Sequence, residues 1–353
     1  MAWHTSIDLR RALDAGLGLP PALYVDPHVF DAERTTLWSS AWIPAARWDD
    51  VARPGDFVTV DVAGDPVVVV RGNDGVVRAF PNVCRHRNAT IMTGCGTARA
   101  LQCPYHLWTW ALDGTLRAAP EMGASFDRAP FGLTPLAVEE WNGWVLVNLD
   151  VDAPSFATSV PALTDRLAPF ELSGLVRGPS VSYESAFNWK IQVENFAESY
   201  HHAGVHATTL QPTYPGQRSW LEPNGGEPWL WVDHVATPPE TPTFTANVVF
   251  PAFMFSLLRG AGALWFALQP HSVDRSTLEI VVLVPPDASD ATRQWLLDGV
   301  REINDEDGVI NERTHAGLRS RFARPGPTSP LEAGLQDFRR WVAARLAPAR
   351  PEI

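Results

Sequence analysis

The chain of 353 residues is longer than one minimal domain, and its length suits two domains of ordinary size. Apolar residues make up 45% of the sequence, so the chain can bury a core and extended disorder is not expected. The formal net charge of -12 at pH 7 argues against a nucleic-acid-binding protein, whose surface would be basic.

No targeting segment or membrane span is evident. The first eleven residues lack the apolar core of a signal peptide. The most apolar segment, 246–270, is interrupted by Pro251, Arg259 and glycines, whereas a membrane span needs about 20 uninterrupted apolar residues. We therefore expect buried strands and a turn in this segment, and a soluble, cytoplasmic protein with no membrane partner.

Short strands separated by turns dominate the first half of the chain. Strand patterns occur at 57–60, 66–70, 76–80, 107–116 and 141–149. Turn signals at Gly64-Asp65 and Asn73-Asp74-Gly75 separate the first three. These patterns predict a small antiparallel β domain over residues 40–150.

The second half mixes helices with a block of strands. After a linker at 150–161, the patterns predict a helix near Asn188, strands between 229 and 285, and a long helix from about 291. A final amphipathic helix is expected over 330–347. The second domain, formed by 1–39 and 160–353, is therefore predicted to be α+β, with its strands grouped between helices.

Two matching pairs of potential metal ligands lie in the β domain. Cys84 and His86 form the first pair, Cys103 and His106 form the second, and sixteen residues separate the pairs. Each pair lies just before a probable turn, so two loop tips can converge on one metal centre. Two cysteines and two histidines are the ligands of a Rieske [2Fe–2S] cluster.

A structural zinc site with the same ligand types is the alternative. Zinc sites usually pair cysteine with cysteine and histidine with histidine, whereas each pair here is mixed, which favours the cluster. The third cysteine, Cys95, has no role in either arrangement, and three cysteines provide no disulfide framework.

These segments resemble a known motif. Residues 84–87 (CRHR) and 102–106 (QCPYH) are similar to the Rieske motif of ring-hydroxylating and related oxygenase α subunits. Asn88 and Leu107 depart from it, since both stand where the family usually has glycine. The departures affect the loops and not the ligands, so the resemblance implies a [2Fe–2S] cluster held by Cys84, His86, Cys103 and His106.

A second constellation begins on the predicted helix near Asn188. Glu194, Glu198 and His201 recur at helical spacing and are expected to form one stripe. His206 would face elsewhere on a continuous helix, but Gly204 can end the helix and turn the chain back. Both imidazoles could then face one ion.

A carboxylate would complete such a site. Two histidines and one carboxylate form the facial triad of non-heme Fe(II) oxygenases. Asp307 falls in the apolar stripe of the long C-terminal helix, where a carboxylate is costly unless it is paired or metal-bound. The alternative is that 305–307 is a solvated acidic run. The required triad favours Asp307 as the third ligand.

This region is also similar to the Rieske oxygenases. Residues 188–190, the Glu198-x-x-His201-x₄-His206 spacing and 306–308 match the mononuclear iron motif of the family. The resemblance implies an N-terminal all-β Rieske domain and a C-terminal helix-grip (SRPBCC/START-like) catalytic domain with an antiparallel sheet, usually in a homotrimer. Fe(II) would then be bound by His201, His206 and Asp307.

The resemblance also implies a catalytic role for Glu198. In the family, an acid at this position bridges the cluster of one subunit to the iron of its neighbour. Many members carry aspartate, and a subset that includes quaternary-amine oxidisers carries glutamate. His106 of one subunit would thus lie near Glu198 of the next, and electrons would cross to the iron beside His201.

The predicted function is that of an oxygenase component. It would use O₂ and electrons from a separate reductase or ferredoxin to hydroxylate, dihydroxylate or demethylate a small organic substrate. Fifteen tryptophans raise the possibility of an aromatic cage for a betaine-like quaternary ammonium group, with Trp220, Trp229, Trp231 and Trp265 as candidates, although core packing explains most such rings. An aromatic-ring dioxygenase, a Rieske electron-transfer protein and a zinc-stabilised binding module are the alternatives.

Overall fold

A computed structural model describes residues 6–238 and 240–346. The described residues divide into two compact units. The smaller unit is Ser39–Thr158, and the larger unit combines the residues up to Trp38 with those from Ser159 onward.

Eight α-helices occur in the described part of the chain. They are α1 (Ser6–Asp14), α2 (Ala22–Val25), α3 (Pro27–Thr36), α4 (Phe156–Ser159), α5 (Pro161–Leu167), α6 (Trp189–Phe196), α7 (Asp290–Leu318) and α8 (Leu335–Leu346). Short 3₁₀ helices lie at Trp38–Ser40, Trp48–Val51, Ala129–Phe131, Ala168–Phe170, Leu172–Gly174, Tyr200–Ala203, Gly216–Arg218 and Pro330–Glu332. No described helix is both long and apolar enough to cross a membrane.

The smaller unit consists of three antiparallel sheets. Its strands are β1 (Ile43–Arg47), β2 (Asp56–Val62), β3 (Asp65–Arg71), β4 (Val77–Pro81), β5 (Cys95–Thr97), β6 (Leu101–Gln102), β7 (Thr109–Trp110), β8 (Leu116–Ala118), β9 (Ala137–Trp141) and β10 (Trp144–Asn148). The sheet orders are β1-β10-β9, β4-β3-β2-β5 and β6-β7-β8. Ala63 and Gly64, both with positive φ, form the tight turn between β2 and β3.

Strand β3 explains how this unit holds two apolar cores. Side chains alternate between the faces of a strand. Val68 and Val70 accordingly belong to one core, which also contains Cys84, Cys103 and Trp108. Val67 and Val69 belong to a second core, which also contains residues of β1 and β10. Four consecutive residues of β3 can all be valine and all be buried, because both faces of the strand are covered.

The larger unit is built on one seven-stranded antiparallel sheet. Its strands are β11 (Val176–Ser185), β12 (Ser219–Leu221), β13 (Trp229–His234), β14 (Phe244–Val249), β15 (Phe253–Leu258), β16 (Gly262–Ser272) and β17 (Arg275–Val284), in the order β11-β17-β16-β15-β14-β13-β12. The 29-residue helix α7 packs on β11, β17 and α6. The predicted strands and turn within 246–270 are confirmed.

Some predicted boundaries are wrong. The linker at 150–161 contains α4, and α5 begins at its end. The predicted helix 330–347 is divided into the 3₁₀ turn Pro330–Glu332 and α8, while residue 347 lies outside the described residues. Strands β11 and β12 were not predicted, because β11 alternates intermediate and exposed side chains and β12 has only three residues.

A buried ion pair joins α3 to α6. Lys190 and Glu33 are fully buried, and Lys190 Nζ donates to a Glu33 carboxylate oxygen at 2.5 Å. The other carboxylate oxygen accepts the indole N–H of Trp189 at 2.8 Å. A buried charge that loses its partner is strongly destabilising, so this pair fixes the position of α6.

We expect Lys190→Met to lower the free energy of unfolding by about 3–5 kcal/mol, because it leaves the Glu33 carboxylate buried without a cation. Urea denaturation followed by fluorescence would measure the change. The matched control is Arg301→Gln, which removes an exposed ion pair with Asp298 and should change stability by at most ~0.5 kcal/mol. Equal stability of Lys190→Met and the wild type would contradict this role.

Candidate metal centres

The two Cys/His loops of the smaller unit are built alike. The amide of Asn88 donates to the carbonyl oxygen of Cys84 at 2.9 Å, and that of Leu107 donates to Cys103 at 3.1 Å. In each loop the cysteine amide also donates to the carbonyl oxygen five positions later, at 2.8 and 2.9 Å. The same backbone hydrogen bonds therefore close both loops.

The same geometry accounts for the two departures from the family motif. Asn88 has φ 58° and Leu107 has φ 59°, both in the left-handed region. Glycine adopts this region freely and asparagine tolerates it, whereas leucine pays roughly 1–2 kcal/mol. The backbone thus keeps the path that glycine would favour at both positions.

The four predicted ligands of these loops lie together. Cys84 and Cys103 are buried, and burial raises the pKa of the Cys84 thiol, with Cys103 adding to the effect. The rings of His86 and His106 lie 4.7 Å apart between centroids. The Nδ1 atom of His86 is buried without a hydrogen-bond partner. Two adjacent buried thiols and an unpaired buried imidazole nitrogen fit a metal cluster.

The ligands differ in their exposure to solvent. The cysteines are part of the apolar core around Trp108, and the ring of His86 stacks on that indole at 5.0 Å. His106 is exposed, and so are its neighbours Tyr105 and Leu107. The histidine side of this site therefore faces outward.

In the larger unit, helix α6 is shorter than predicted. Asn188 caps its first turn, accepting from the amide of Lys190 at 3.0 Å, but the helix ends at Phe196 and does not reach Gly204. The carboxylate of Glu198 accepts hydrogen bonds from the amides of Tyr200 and His201. These side-chain bonds replace the helical pattern and start a 3₁₀ turn.

The expected stripe of Glu194, Glu198 and His201 is consequently wrong as a helical feature. Glu194 lies on α6 and makes a two-point ion pair with Arg339 at 3.0 Å, while it accepts from the Tyr24 hydroxyl at 2.7 Å. Glu198 and His201 lie beyond the helix and contact each other directly. The two glutamates therefore have separate partners.

His201, His206 and Asp307 come together as the triad predicted from spacing. One potential ligand atom from each lies within 4.8 Å of the others. Asp307 Oδ1 is 3.6 Å from His201 Nε2 and 3.1 Å from His206 Nε2. The latter nitrogen is buried and makes no hydrogen bond of acceptable geometry. This donor set, with an unpaired buried nitrogen, fits Fe(II).

A further side chain holds each member of the triad. His201 Nδ1 donates to Glu198 at 2.5 Å, and His206 Nδ1 donates to Glu306 at 2.7 Å. Because ionised carboxylates only accept, the protons are assigned to the Nδ1 atoms, which leaves both Nε2 lone pairs for a metal. The amide of Asn195 donates to Asp307 Oδ1 at 3.0 Å.

Electrostatics at His206 also favour a cation. Burial disfavours the charged imidazole, but the carboxylates of Asp307 and Glu306 outweigh burial and raise the pKa of His206. Glu306 is a residue that sequence reasoning missed. Its signals in the sequence were its position beside Asp307 and its place in the matched segment 306–308, but neither indicated a contact with His206.

A cavity of about 230 Å³ lies beside the triad. Its walls are mostly apolar. Besides histidines, they contain five aromatic side chains, those of Phe196, Tyr214, Phe244, Phe266 and Trp295. The proposed tryptophan cage is wrong, because none of its four candidates is among the described residues that line the cavity. Trp229, Trp231 and Trp265 are buried in the core, and Trp220 is exposed.

Two buried histidines also line the cavity without joining the triad. Their rings, His202 and His234, stack 5.1 Å apart. His202 Nδ1 donates to the carbonyl oxygen of Tyr214 at 3.0 Å, so its Nε2 is the unprotonated nitrogen. Burial, followed by the proximity of His201, lowers the pKa of His202 to about 4, and burial also holds the pKa of His234 well below its usual value. Both imidazoles are therefore neutral at physiological pH.

Comparison with known families agrees with both centres. Residues 41–140 match the Rieske [2Fe-2S] domain, and residues 172–348 match the catalytic domain of ring-hydroxylating α subunits. The chain belongs to the Rieske non-heme iron oxygenases. It is accordingly an oxidoreductase of a family that carries a [2Fe–2S] cluster and a non-heme iron, and the predicted resemblance and cofactors are confirmed.

Individual Rieske oxygenases share much of the chain. The carnitine monooxygenase oxygenase subunit of Acinetobacter pittii is 35% identical over 328 residues, which cover 88% of each chain. The glycine betaine monooxygenase oxygenase subunit of Chromohalobacter salexigens is 35% identical over 211 residues, covering 59% of this chain and 47% of that protein.

Solved structures agree as well. The quaternary ammonium Rieske monooxygenase CntA superposes with a TM-score of 0.88 at 27% identity, covering 96% of this chain and 98% of that one. A naphthalene 1,2-dioxygenase with bound indole, at 21% identity and a TM-score of 0.80, covers 94% of this chain and 93% of its own. The predicted fold class is thereby confirmed, with an all-β Rieske domain and a catalytic domain built on an antiparallel sheet.

We expect Glu306→Gln to weaken iron binding at the triad by about 10–100-fold, because the carboxylate that orients His206 and holds its proton is lost. Competition with a calibrated Fe(II) chelator would measure the affinity. Glu312→Gln is the matched control, since Glu312 is an exposed glutamate on the same helix. Equal iron affinity of Glu306→Gln and the control would contradict the role of Glu306.

Proposed function

We propose that this Rieske oxygenase is the oxygenase component of a monooxygenase that oxidises a small quaternary ammonium compound. The observation that carries the proposal is the likeness over most of the chain to a carnitine monooxygenase oxygenase subunit. The ring-lined cavity beside the triad supports it, because aromatic faces attract ammonium groups. The glutamate at position 198 supports it too, since the family resemblance places this chain with the subset that carries glutamate there and includes quaternary-amine oxidisers.

We assign the cofactors to the residues that converge in each unit. Cys84, His86, Cys103 and His106 would hold the [2Fe–2S] cluster, and His201, His206 and Asp307 would hold Fe(II). When bound, the cluster supplies single electrons and the iron supplies a site for O₂. One oxygen atom would enter a C–H bond on a carbon bonded to the substrate nitrogen, and the other would leave as water after two electrons and two protons are added. The hydroxylated carbon would then lose its C–N bond, which releases a tertiary amine, an aldehyde and a proton.

The residues around the triad prepare this chemistry. Glu198 and Glu306 keep the protons of His201 and His206 on Nδ1, so the opposite nitrogens stay available to the metal. Asn195 holds the carboxylate of Asp307 in place. The mostly apolar walls of the cavity limit water near the reacting C–H bond.

Electrons would come from a separate reductase or ferredoxin. We propose a cytoplasmic homotrimer in which His106 of one subunit lies near Glu198 of the next. The exposure of His106 and the hydrogen bond between Glu198 and His201 suit such a path. For CntA, a solved structure has given insights into inter-subunit electron transfer in that protein. The free cysteines suit a reducing compartment.

Metal content and turnover together test the proposal. Anaerobically purified protein should contain the two irons and two sulfides of the cluster and one further iron, with a Rieske-type electron paramagnetic resonance signal after dithionite reduction. With a reductase, O₂ uptake and release of an amine product should occur with quaternary ammonium compounds and not with naphthalene or indole. Turnover of the aromatic compounds alone would instead establish a ring dioxygenase. Zinc without the signal would contradict the cluster.

We expect Glu198→Gln to slow electron delivery to the iron by about 10–100-fold while cluster reduction by dithionite stays unchanged. The amide removes the charge that holds the His201 proton. Single-turnover oxidation of the reduced cluster, followed by its absorbance, would measure the rate. Both Glu198→Gln and Glu312→Gln would be loaded with Fe(II) to equal iron content before the measurement, because loss of the Glu198 carboxylate also weakens metal binding. An unchanged single-turnover rate would contradict the role of Glu198.

A further inference from the structure

The charged side chains that line the catalytic cavity are all acidic. Glu198 and Asp307 contribute carboxylates, and no lysine or arginine occurs among the described residues of the lining. The one lysine of the chain, Lys190, is fully buried against Glu33. A substrate carboxylate would therefore enter this cavity without a cationic side chain to pair with, which is costly.

Two arginines directly follow residues of the lining, Arg259 after Leu258 and Arg301 after Val300, but neither side chain lines the cavity. The guanidinium of Arg259 lies over the ring of Phe170 at 5.3 Å. Arg301, on the helix that supplies Asp307, is exposed and lies 3.9 Å from Asp298.

A bound divalent metal would not make the net charge of this site positive. Asp307, Glu198 and Glu306 surround the two imidazoles. If each carboxylate is ionised, a divalent ion leaves the loaded centre with one negative charge in excess. The centre as a whole is therefore no counter-ion for a substrate anion.

The aromatic side of the cavity suits a cation. Phe196 and Phe266 lie 4.7 Å apart between ring centroids, and Tyr214 and Phe244 are separated by the same distance. Trp295 also lines the cavity although it is 64% exposed, which places an indole at the boundary between cavity and solvent. Clustered ring faces attract an ammonium group most strongly where water is excluded.

The remaining polar groups are neutral. His202 offers an unprotonated Nε2 as an acceptor, and the Asn195 amide nitrogen is already bound to Asp307. Ser256, Gln192 and Asn304 can make neutral hydrogen bonds. These groups suit an uncharged polar substituent such as a hydroxyl.

We propose that the cavity selects a quaternary ammonium compound that carries no anionic group, such as a cationic amino alcohol, in preference to a zwitterionic betaine. This inference rests on the proposed function and narrows its substrate class. It separates this chain from the relatives it resembles, which are named for carnitine and glycine betaine.

Three probes of nearly equal shape test the inference. Choline carries the ammonium alone, glycine betaine carries the ammonium and a carboxylate, and 3,3-dimethylbutan-1-ol is the uncharged isostere of choline. Calorimetric titration of the anaerobic, iron- and cluster-loaded full-length chain would measure their affinities without turnover. We expect choline to bind at least about tenfold more tightly than either of the other probes.

Each other outcome has a distinct meaning. Glycine betaine binding as tightly as choline would overturn the inference and leave the proposed function standing. Equal binding of choline and its uncharged isostere would overturn the selection for a cation. Binding of none of the probes would count against the inference and the proposed function together.

Two variants test the physical cause. Leu258→Arg adds a cation to a half-buried wall position and should shift the ratio of betaine to choline affinity by about tenfold toward betaine, whereas the matched Leu258→Gln should not. Phe244→Leu should weaken choline binding several-fold and leave 3,3-dimethylbutan-1-ol unaffected. An unchanged ratio in Leu258→Arg, or equal losses for both ligands in Phe244→Leu, would overturn the explanation.

Discussion

The hydrogen bonds from the two histidine Nδ1 atoms to carboxylates are the constraint on which the catalytic centre depends. Helix α6 ends at Phe196, so His201 is carried only by the short 3₁₀ helix Tyr200–Ala203, and His206 lies beyond it in a bend. Glu198 orients His201 locally, since it binds both the imidazole and the backbone of the turn that carries it. Glu306 orients His206 from the distant helix α7, which also supplies Asp307. Adjacent residues of one helix therefore contact opposite nitrogens of the His206 ring, and α7 fixes its orientation.

Residue type and spacing predicted the fold class, which is confirmed, and they selected ligand candidates that lie close together in the structure. The sequence was insufficient where a side chain overrides the backbone pattern. Residues 197–203 contain nothing that forbids a helix, and the break follows from hydrogen bonds to Glu198. Glu306 was missed because an acidic run on a helix resembles a solvated surface until His206 is placed against it. The cavity rings could not be chosen from fifteen tryptophans and other aromatics, because their assembly depends on long-range strand order.

In the smaller unit, the cysteines of the two Cys/His loops are themselves part of the apolar core. Cys84 and Cys103 are members of the same apolar core as Val68, Val70 and Trp108. Strand β3 turns its other face to a second core, so one strand joins the packing of the cysteines to that of β1 and β10. Because the sulfurs lie inside the core, binding of the proposed cluster by them would couple metal loading to the folding of this unit. The left-handed residues Asn88 and Leu107 let each loop close over its cysteine without disturbing that packing.

The single lysine has a practical consequence for chemical labelling. Lys190 is fully buried, and burial lowers its pKa against the opposing effect of Glu33. Amine-directed cross-linkers and dyes therefore find no lysine side chain on the folded surface. Trypsin can cut the chain after its arginines, but the site after Lys190 becomes available only when the contact between α3 and α6 opens. Acylation of Lys190, detected by mass spectrometry, would thus report the rate of local opening of the helix that precedes His201 and His206.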